Sequence, residues 1–140
     1  MTTSSISAQW HKGRAFVSRV GSHEVCTDAP VPHGGLDSGV NPKALMMVSL
    51  AGCTGVDVAM ILEKMRIEVT DIVIEVTGQL SDETPSVYTA MHLVYIFSGK
   101  GLKQEKLEHV VELSQEKYCG VSFMYRKIMT ISWEVRIVEA

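Results

Sequence analysis

The sequence has 140 residues, of which 46% are hydrophobic and 21% charged, and its formal net charge at pH 7 is −3. This length fits one domain, residues 1–140, with a modest core, and the weak negative charge argues against a nucleic-acid-binding protein. The first ten residues contain no apolar run, so we expect no signal peptide and a cytoplasmic location.

Three short antiparallel strands are predicted at the N-terminus, over residues 5–11, 14–20 and 23–27. Gly13 and Gly21 mark the turns between them. Residues 29–42 are rich in glycine and proline and predict a loop. His33 lies in this loop, where a solvated histidine is the simpler interpretation than a ligand contact.

Residues 41–66 read NPKALMMVSLAGCTGVDVAMILEKMR and predict one long helix. Asn41 suits the N-cap and Pro42 the first helical position. The helix is apolar nearly all round, which is typical of a buried helix. Its apolar length approaches that of a membrane span, but its polar residues and glycines, and the amphipathic strands after it, favour a soluble protein without a membrane partner.

The face that this helix presents is set by residue spacing. Ser49, Cys53 and Asp57 are four residues apart and therefore share one face. Ala51 and Gly55 are also four apart and would let a second helix approach closely. Because the helix is too apolar for one small sheet to cover, we expect it to pack on its own copy in a homodimer.

The elements predicted after the helix are strands over residues 69–80 and 87–97, helices over 103–118 and 121–127, and a strand over 128–138. The order is βββ-α-ββ-α-α-β. Runs of strands with segregated helices indicate an α+β fold, and we expect antiparallel sheets around the long buried central helix.

The three cysteines, at positions 26, 53 and 119, are too few and too scattered for a secreted disulfide scaffold. No pair has the CxxC spacing of a zinc site, so no metal is expected. Cys26 ends a short strand and is expected to be inert. Both of the other thiols could also be buried apolar cysteines without chemistry, which is a common role.

A reactive cysteine needs a positive neighbour, a helix terminus or a general base, because only the thiolate is a strong nucleophile. Cys53 lies in mid-helix, where the helix dipole contributes little. It would need a cation from elsewhere in the fold, and the candidates are Arg14, Arg19 and Arg126. Cys119 lies between two helices, at a place expected to be flexible and partly exposed. That position suits a second thiol that resolves a sulfenic acid.

The central helix, followed later by LSQEKYCGVSFM, resembles the OsmC/Ohr family. Most similar are OsmC-like members with GC-x-x-x-D in the central helix and KYC-x-V later, and the resemblance covers nearly the whole chain. It implies an entwined homodimer and thiol-dependent reduction of small-molecule hydroperoxides in oxidative-stress defence. Cys53 then matches the peroxidatic cysteine and Cys119 the resolving one. A dithiol reductant reopens their disulfide, without a metal or organic cofactor.

One position departs from the family pattern. Peroxidases of the family carry a glutamate near the start of the central helix, which holds the arginine that activates the thiolate. Here the corresponding residue is Lys43, followed by Ala44. Arg14 matches the activating arginine loosely, and Asp57, one turn after Cys53, could hold an arginine instead.

Two other functions are compatible with the sequence. The first is a thiol redox sensor or disulfide-exchange protein that uses the same cysteines. The second is a non-catalytic dimer that binds an apolar ligand, since eight methionines and aromatic strand faces suit an adaptable apolar pocket. Fast loss of two thiols per chain with hydroperoxide would separate the peroxidase from the binding protein.

Overall fold

An antiparallel three-stranded sheet begins the structure, a computed structural model that describes residues 1–140. Its strands are β1 Ser7–Lys12, β2 Ala15–Val20 and β3 His23–Thr27. Gly13 and Gly21 occupy the turns with φ of 58° and 60°, a conformation that glycine adopts without strain. The predicted N-terminal meander is therefore confirmed. This sheet belongs to the first of two compact units, residues 1–46 and 47–140. A single domain over the whole length stays a prediction.

Asp28 organises the loop that follows β3, which includes a short 3-10 turn, Val31–His33. The Asp28 side chain is 3% exposed. It accepts hydrogen bonds from the backbone N–H groups of Ala29, Leu36 and Ser38 at 2.7, 3.2 and 3.1 Å, and from the Ser38 hydroxyl at 2.7 Å. These hydrogen bonds, with that from the Ser38 side chain the strongest, lower the pKa of Asp28 from 3.8 to about 2.

Because the folded-state pKa of Asp28 lies below its ordinary value, the carboxylate stabilises the loop above about pH 4 and loses this effect as the pH falls towards 2. We expect Asp28→Asn to lower the hydrogen-exchange protection of the Leu36 and Ser38 amides at neutral pH and to remove its acid dependence. Asp37→Asn is the matched control, because asparagine tolerates the φ of 54° at that position. Equal protection in both variants would contradict the prediction.

The long helix, α1, spans Ala44–Lys64. The Asn41 side chain accepts a hydrogen bond from the Lys43 N–H at 3.1 Å in the turn before the helix. The helix therefore begins two residues later than the predicted first helical position, Pro42. Its burial in the single chain is one-sided: the buried residues are Leu50, Thr54, Val58, Ile61 and Leu62. By length and composition α1 is apolar enough to cross a membrane, a test that core helices of soluble proteins also pass.

The second sheet has the order β4-β5-β6, with β4 Asp71–Leu80, β5 Tyr88–Gly99 and β6 Thr130–Glu139. β4 and β5 form an antiparallel pair, but β6 lies parallel to β5. The expectation of purely antiparallel sheets was therefore wrong. The chain between β5 and β6 is filled by helices, and a helical crossover returns the chain so that the next strand runs in the same direction.

The crossover contains α2, Gln104–Leu113, a π-helical turn, Ser114–Tyr118, and α3, Gly120–Tyr125. The predicted helix over 103–118 therefore changes its winding at Ser114. α2 buries Leu107, Val110 and Val111. The core of this unit is the inward row of the central strand, which is at most 1% exposed: Met91, Leu93, Tyr95 and Phe97.

Candidate active site

The segment 114–125 packs against the face of α1 that carries Ser49, Cys53 and Asp57, the face predicted from residue spacing. Three contacts, one for each turn of the helix, join the two: Asp57 to Ser114, Cys53 to Cys119, and Ser49 to Tyr125. Along these three contacts the residue numbers fall in α1 while they rise in the segment 114–125. The crossover segment therefore runs antiparallel to α1. The structure thus brings the two predicted catalytic thiols together, although 65 residues lie between Cys53 and Cys119 in the sequence.

The two thiols differ in exposure. Cys53 is half-buried, whereas Cys119 is only 3% exposed. The expectation of a partly exposed Cys119 was wrong, because the crossover segment folds this side chain inward against α1. Burial, as the main cause, raises the pKa of Cys119, and the neighbouring Cys53 thiol raises it further. The raised pKa favours the protonated thiol of Cys119.

Local backbone geometry places the Cys119 sulfur. The π-helical turn closes with a hydrogen bond of 2.7 Å from the Cys119 N–H to the Ser114 carbonyl, five residues earlier. Cys119 then has extended geometry, with φ −77° and ψ 104°, and is the N-cap of α3. Its sulfur accepts a hydrogen bond from the Ser122 N–H at 3.4 Å. Ser122 lowers the pKa of Cys119 and so offsets part of the increase that burial causes.

A series of hydrogen bonds, buried at its centre and partly exposed at its two ends, crosses the site beside the thiols. It joins, in order, Arg126, Gln115, Tyr95, Thr54, Ser114 and Asp57. The donor–acceptor distances along it are 3.5, 2.7, 2.7, 2.7 and 3.0 Å. Burial, as the main cause, raises the pKa of Tyr95, and its hydrogen bonds to Thr54 and Gln115 offset part of that effect.

The direction of these hydrogen bonds follows from the groups themselves. A carboxylate only accepts, so Ser114 donates to Asp57. A hydroxyl has one hydrogen, so Thr54 donates to Ser114 and Tyr95 donates to Thr54. The Tyr95 oxygen then accepts from Gln115. Because Thr54 follows Cys53 and Ser114 begins the turn that ends at Cys119, the series fixes the two cysteine-bearing segments against each other.

Tyr95→Phe is expected to lower the free energy of unfolding by about 1–3 kcal/mol, since it leaves the buried Gln115 amide without its acceptor and Thr54 without its donor. An equilibrium unfolding curve in urea measures the change in the free energy of unfolding. Tyr88→Phe is the matched control, because it removes the same hydroxyl from another buried tyrosine of β5 that lies outside this series of hydrogen bonds. A loss no greater than that of the control would contradict the prediction.

Comparison with known proteins gives the family. Residues 35–134 match the family model described as OsmC-like protein. The chain belongs to the OsmC-like protein family. It is 31% identical over 133 residues to Protein YhfA of Escherichia coli K12, covering 94% of this chain and 96% of that protein.

Solved structures confirm the α+β fold of this OsmC-like chain. A hypothetical protein from Aquifex aeolicus VF5 has a TM-score of 0.83 and 33% identity, with 99% of each chain covered. The organic hydroperoxide resistance protein OhrB of Bacillus subtilis has a TM-score of 0.70 and 23% identity, with 96% of this chain and 98% of that chain covered. At that identity, the likeness to OhrB shows the fold alone.

Each of the three arginines proposed to activate Cys53 in this OsmC-like chain has a neighbour of its own. The Arg14 guanidinium packs against Gly34, where a Cβ would come within 2.6 Å of its Nε. Arg19 forms an exposed ion pair with Glu24 at 3.0 Å. Arg126 donates to the Gln115 carbonyl at 2.6 Å. Within residues 47–140, Asp57 is held by Ser114 rather than by an arginine. The cation that activates Cys53 stays a prediction, with Arg14 as its candidate.

Sequence reasoning missed the partners Tyr95, Gln115 and Ser122. Their signal was weak: Tyr95 reads as one more aromatic in a buried strand, and Gln115 as part of a charged helix end. Thr54 in an apolar helix and Ser114 at an inward position were the visible hints, because a polar side chain at a buried position needs a partner.

A cavity of the second unit lies away from the thiols. It has a volume of about 690 Å³, and its lining includes Ala59, Leu62, Ile67, Val69 and Ile72. A smaller cavity of about 150 Å³ borders Cys119. The paired thiols, rather than the cavity volume, locate the candidate active site, because only they supply groups that can react. No group of three or more histidine, cysteine or acidic side chains is arranged to hold a metal ion.

Proposed function

We propose that this OsmC-like protein is a thiol-dependent hydroperoxide reductase that acts in oxidative-stress defence. The observation that carries the proposal is that the half-buried Cys53 thiol and the buried Cys119 thiol lie close enough together for one to shift the pKa of the other. Membership of the OsmC-like family supports it, as does the fold shared with OhrB, whose name describes organic hydroperoxide resistance.

In the first step the Cys53 thiolate attacks one peroxide oxygen. The O–O bond breaks, Cys53 is oxidised by two electrons to a sulfenic acid, and the departing oxygen takes up a proton and leaves as an alcohol or water. Cys53 suits this role because it is the more exposed of the two thiols. Arg14 is the proposed activating cation, and Lys43 stands where the family has the glutamate that holds this arginine.

In the second step the Cys119 sulfur attacks the sulfenic sulfur of Cys53. An S–S bond forms, the hydroxyl leaves as water, and a dithiol reductant later returns both cysteines to thiols by two exchange steps. Because the two thiols already lie near each other, the reaction begins without a long movement of either side chain. No metal or organic cofactor takes part, and a cytoplasmic location would supply the dithiol reductant.

We propose further that the protein is a homodimer with paired α1 helices. The support is an apolar face of α1 that the single chain leaves uncovered: Val48, Val56 and Met60 are 58%, 69% and 42% exposed. A soluble monomer rarely exposes such a continuous apolar surface. Sedimentation equilibrium at micromolar concentration should give the dimer mass, and a monomer mass would refute the pairing.

Titration of free thiols tests the function directly. In a Cys26→Ser background, which removes the exposed thiol, only the paired cysteines remain. One equivalent of an organic hydroperoxide should consume both thiols rapidly and leave an intramolecular disulfide, and a dithiol should restore them over repeated cycles. Thiols that survive the peroxide would rule out the reductase. Oxidation without repeated turnover would favour the redox sensor.

A second candidate function has one observation in its favour. The cavity of about 690 Å³ has a largely aliphatic wall and could accommodate an apolar ligand. The proximity of the two cysteines has no role in such binding, so we rank the ligand-binding function second. Saturable binding of a fluorescent fatty acid that persists in the Cys53→Ser variant, together with thiols that resist hydroperoxide, would favour the binding protein.

A further inference from the structure

Ser122 lies beside the Cys119 sulfur with a hydroxyl that has no partner. The residue is 0% exposed. Its Oγ is the one buried side-chain nitrogen or oxygen of residues 1–140 without a hydrogen bond. The backbone N–H of the same residue does donate to the Cys119 sulfur, at 3.4 Å. The hydroxyl is near enough to lower the pKa of Cys119, but it is not aligned in a proper hydrogen bond.

An unpartnered buried hydroxyl is rare in folded proteins because burial removes water without replacing it. In the reduced protein the neighbouring group is a neutral thiol, which is a poor hydrogen-bond acceptor. A thiolate is a much stronger acceptor, and hydrogen bonds to charged groups are the strong ones. A small rotation of the hydroxyl would therefore give it a good partner only when Cys119 carries a negative charge.

We propose that Ser122 is a catalytic residue that stabilises the Cys119 thiolate, through its hydroxyl and its backbone N–H, when Cys119 leaves the disulfide. This inference rests on the proposed function, which creates that disulfide. The attacking atom is a thiolate sulfur of the dithiol reductant, and it bonds to the half-buried Cys53 sulfur. The S–S bond breaks, and its electron pair goes to the Cys119 sulfur between the two Ser122 donors.

The Cys119 thiolate then takes a proton. The second thiol of the reductant attacks the mixed disulfide on Cys53, releasing the oxidised reductant and the Cys53 thiolate, so that atoms and electrons balance. The two positions explain the order of events. Cys53 is the more accessible sulfur for an external reagent, whereas Cys119 is buried and would be a poor leaving group without donors.

The test isolates disulfide opening from peroxide chemistry. In the full-length Cys26→Ser protein, the Cys53–Cys119 disulfide is formed with diamide, and its reduction by dithiothreitol is followed by thiol release. We expect Ser122→Ala to be reduced roughly tenfold more slowly, because one of two donors to the leaving group is lost. Ser122→Thr keeps a hydroxyl and should recover most of the rate. Ser98→Ala, at a half-buried serine of β5, is the matched control.

A thermal unfolding measurement separates catalysis from structure. Removing an unpartnered buried hydroxyl should leave the Tm of Ser122→Ala equal to or above that of the parent. A lowered Tm together with slow reduction that Ser122→Thr does not rescue would mean a structural role and overturn the proposal. A rate equal to that of the parent would overturn it as well.

A second measurement does not depend on the disulfide. In a Cys26→Ser/Cys53→Ser background Cys119 is the remaining thiol, and its ionisation is followed by the ultraviolet absorbance of the thiolate. Ser122→Ala should raise the Cys119 pKa, and Ser122→Thr should restore it. An unchanged pKa overturns the role of Ser122. Failure of the disulfide to form would instead count against the proposed function, and this titration would still decide on Ser122.

Discussion

Cys53→Ser is expected to abolish hydroperoxide consumption, with a fall in kcat/KM of more than roughly three orders of magnitude, because a serine hydroxyl at neutral pH supplies no anion comparable to a thiolate. The substitution is nearly isosteric, and Cys53 is half-buried, so the fold should tolerate it. Stopped-flow consumption of an organic hydroperoxide, with dithiothreitol as reductant, measures the loss.

The control for this experiment is Cys26→Ser. Cys26 lies in β3 of the first unit and is exposed, so it would be oxidised first if exposure alone decided reactivity. We expect that variant to keep the full rate. Peroxide consumption that survives in Cys53→Ser but disappears in Cys26→Ser would show that the site is elsewhere.

Cys119→Ser is expected to stop the reaction after oxidation of Cys53. Without the second thiol no disulfide can form, so Cys53 should accumulate as a sulfenic acid when no external reductant is present. In the Cys26→Ser background one equivalent of peroxide should oxidise a single thiol, and mass spectrometry should show one added oxygen or the adduct of a sulfenic-acid probe. The parent should lose both thiols and form no adduct.

The burial of Cys119 gives this experiment a second readout. A serine at that position removes the second thiol but keeps a small polar side chain that can cap α3. The Tm should therefore change little, while the chemistry stops at the sulfenic acid. In the Cys26→Ser background Cys53 is then the last thiol of the chain, so a disulfide could join only the Cys53 residues of two chains. Rapid formation of that disulfide in place of the sulfenic acid would refute the assignment of Cys119.

The two-thiol site illustrates how far local sequence patterns reach. Periodicity alone placed Ser49, Cys53 and Asp57 on one helix face, because helical geometry depends on spacing and not on the rest of the fold. The order of strands and helices followed from local hydrophobic patterns and turn residues in the same way. Recognition of the OsmC/Ohr pattern then paired Cys53 with Cys119, a contact that neither residue's neighbours in the sequence could specify.

The sequence by itself determined the element order, the α+β class and the helix face that carries Cys53. Only the tertiary structure decided that β6 runs parallel to β5, that Cys119 is buried, and that the hydroxyl of Tyr95 links the two cysteine-bearing segments. The physical reason is the same in each case. Strand direction, burial and hydrogen-bond partners depend on groups that are distant in the chain, and they are fixed only when the crossover segment packs along α1.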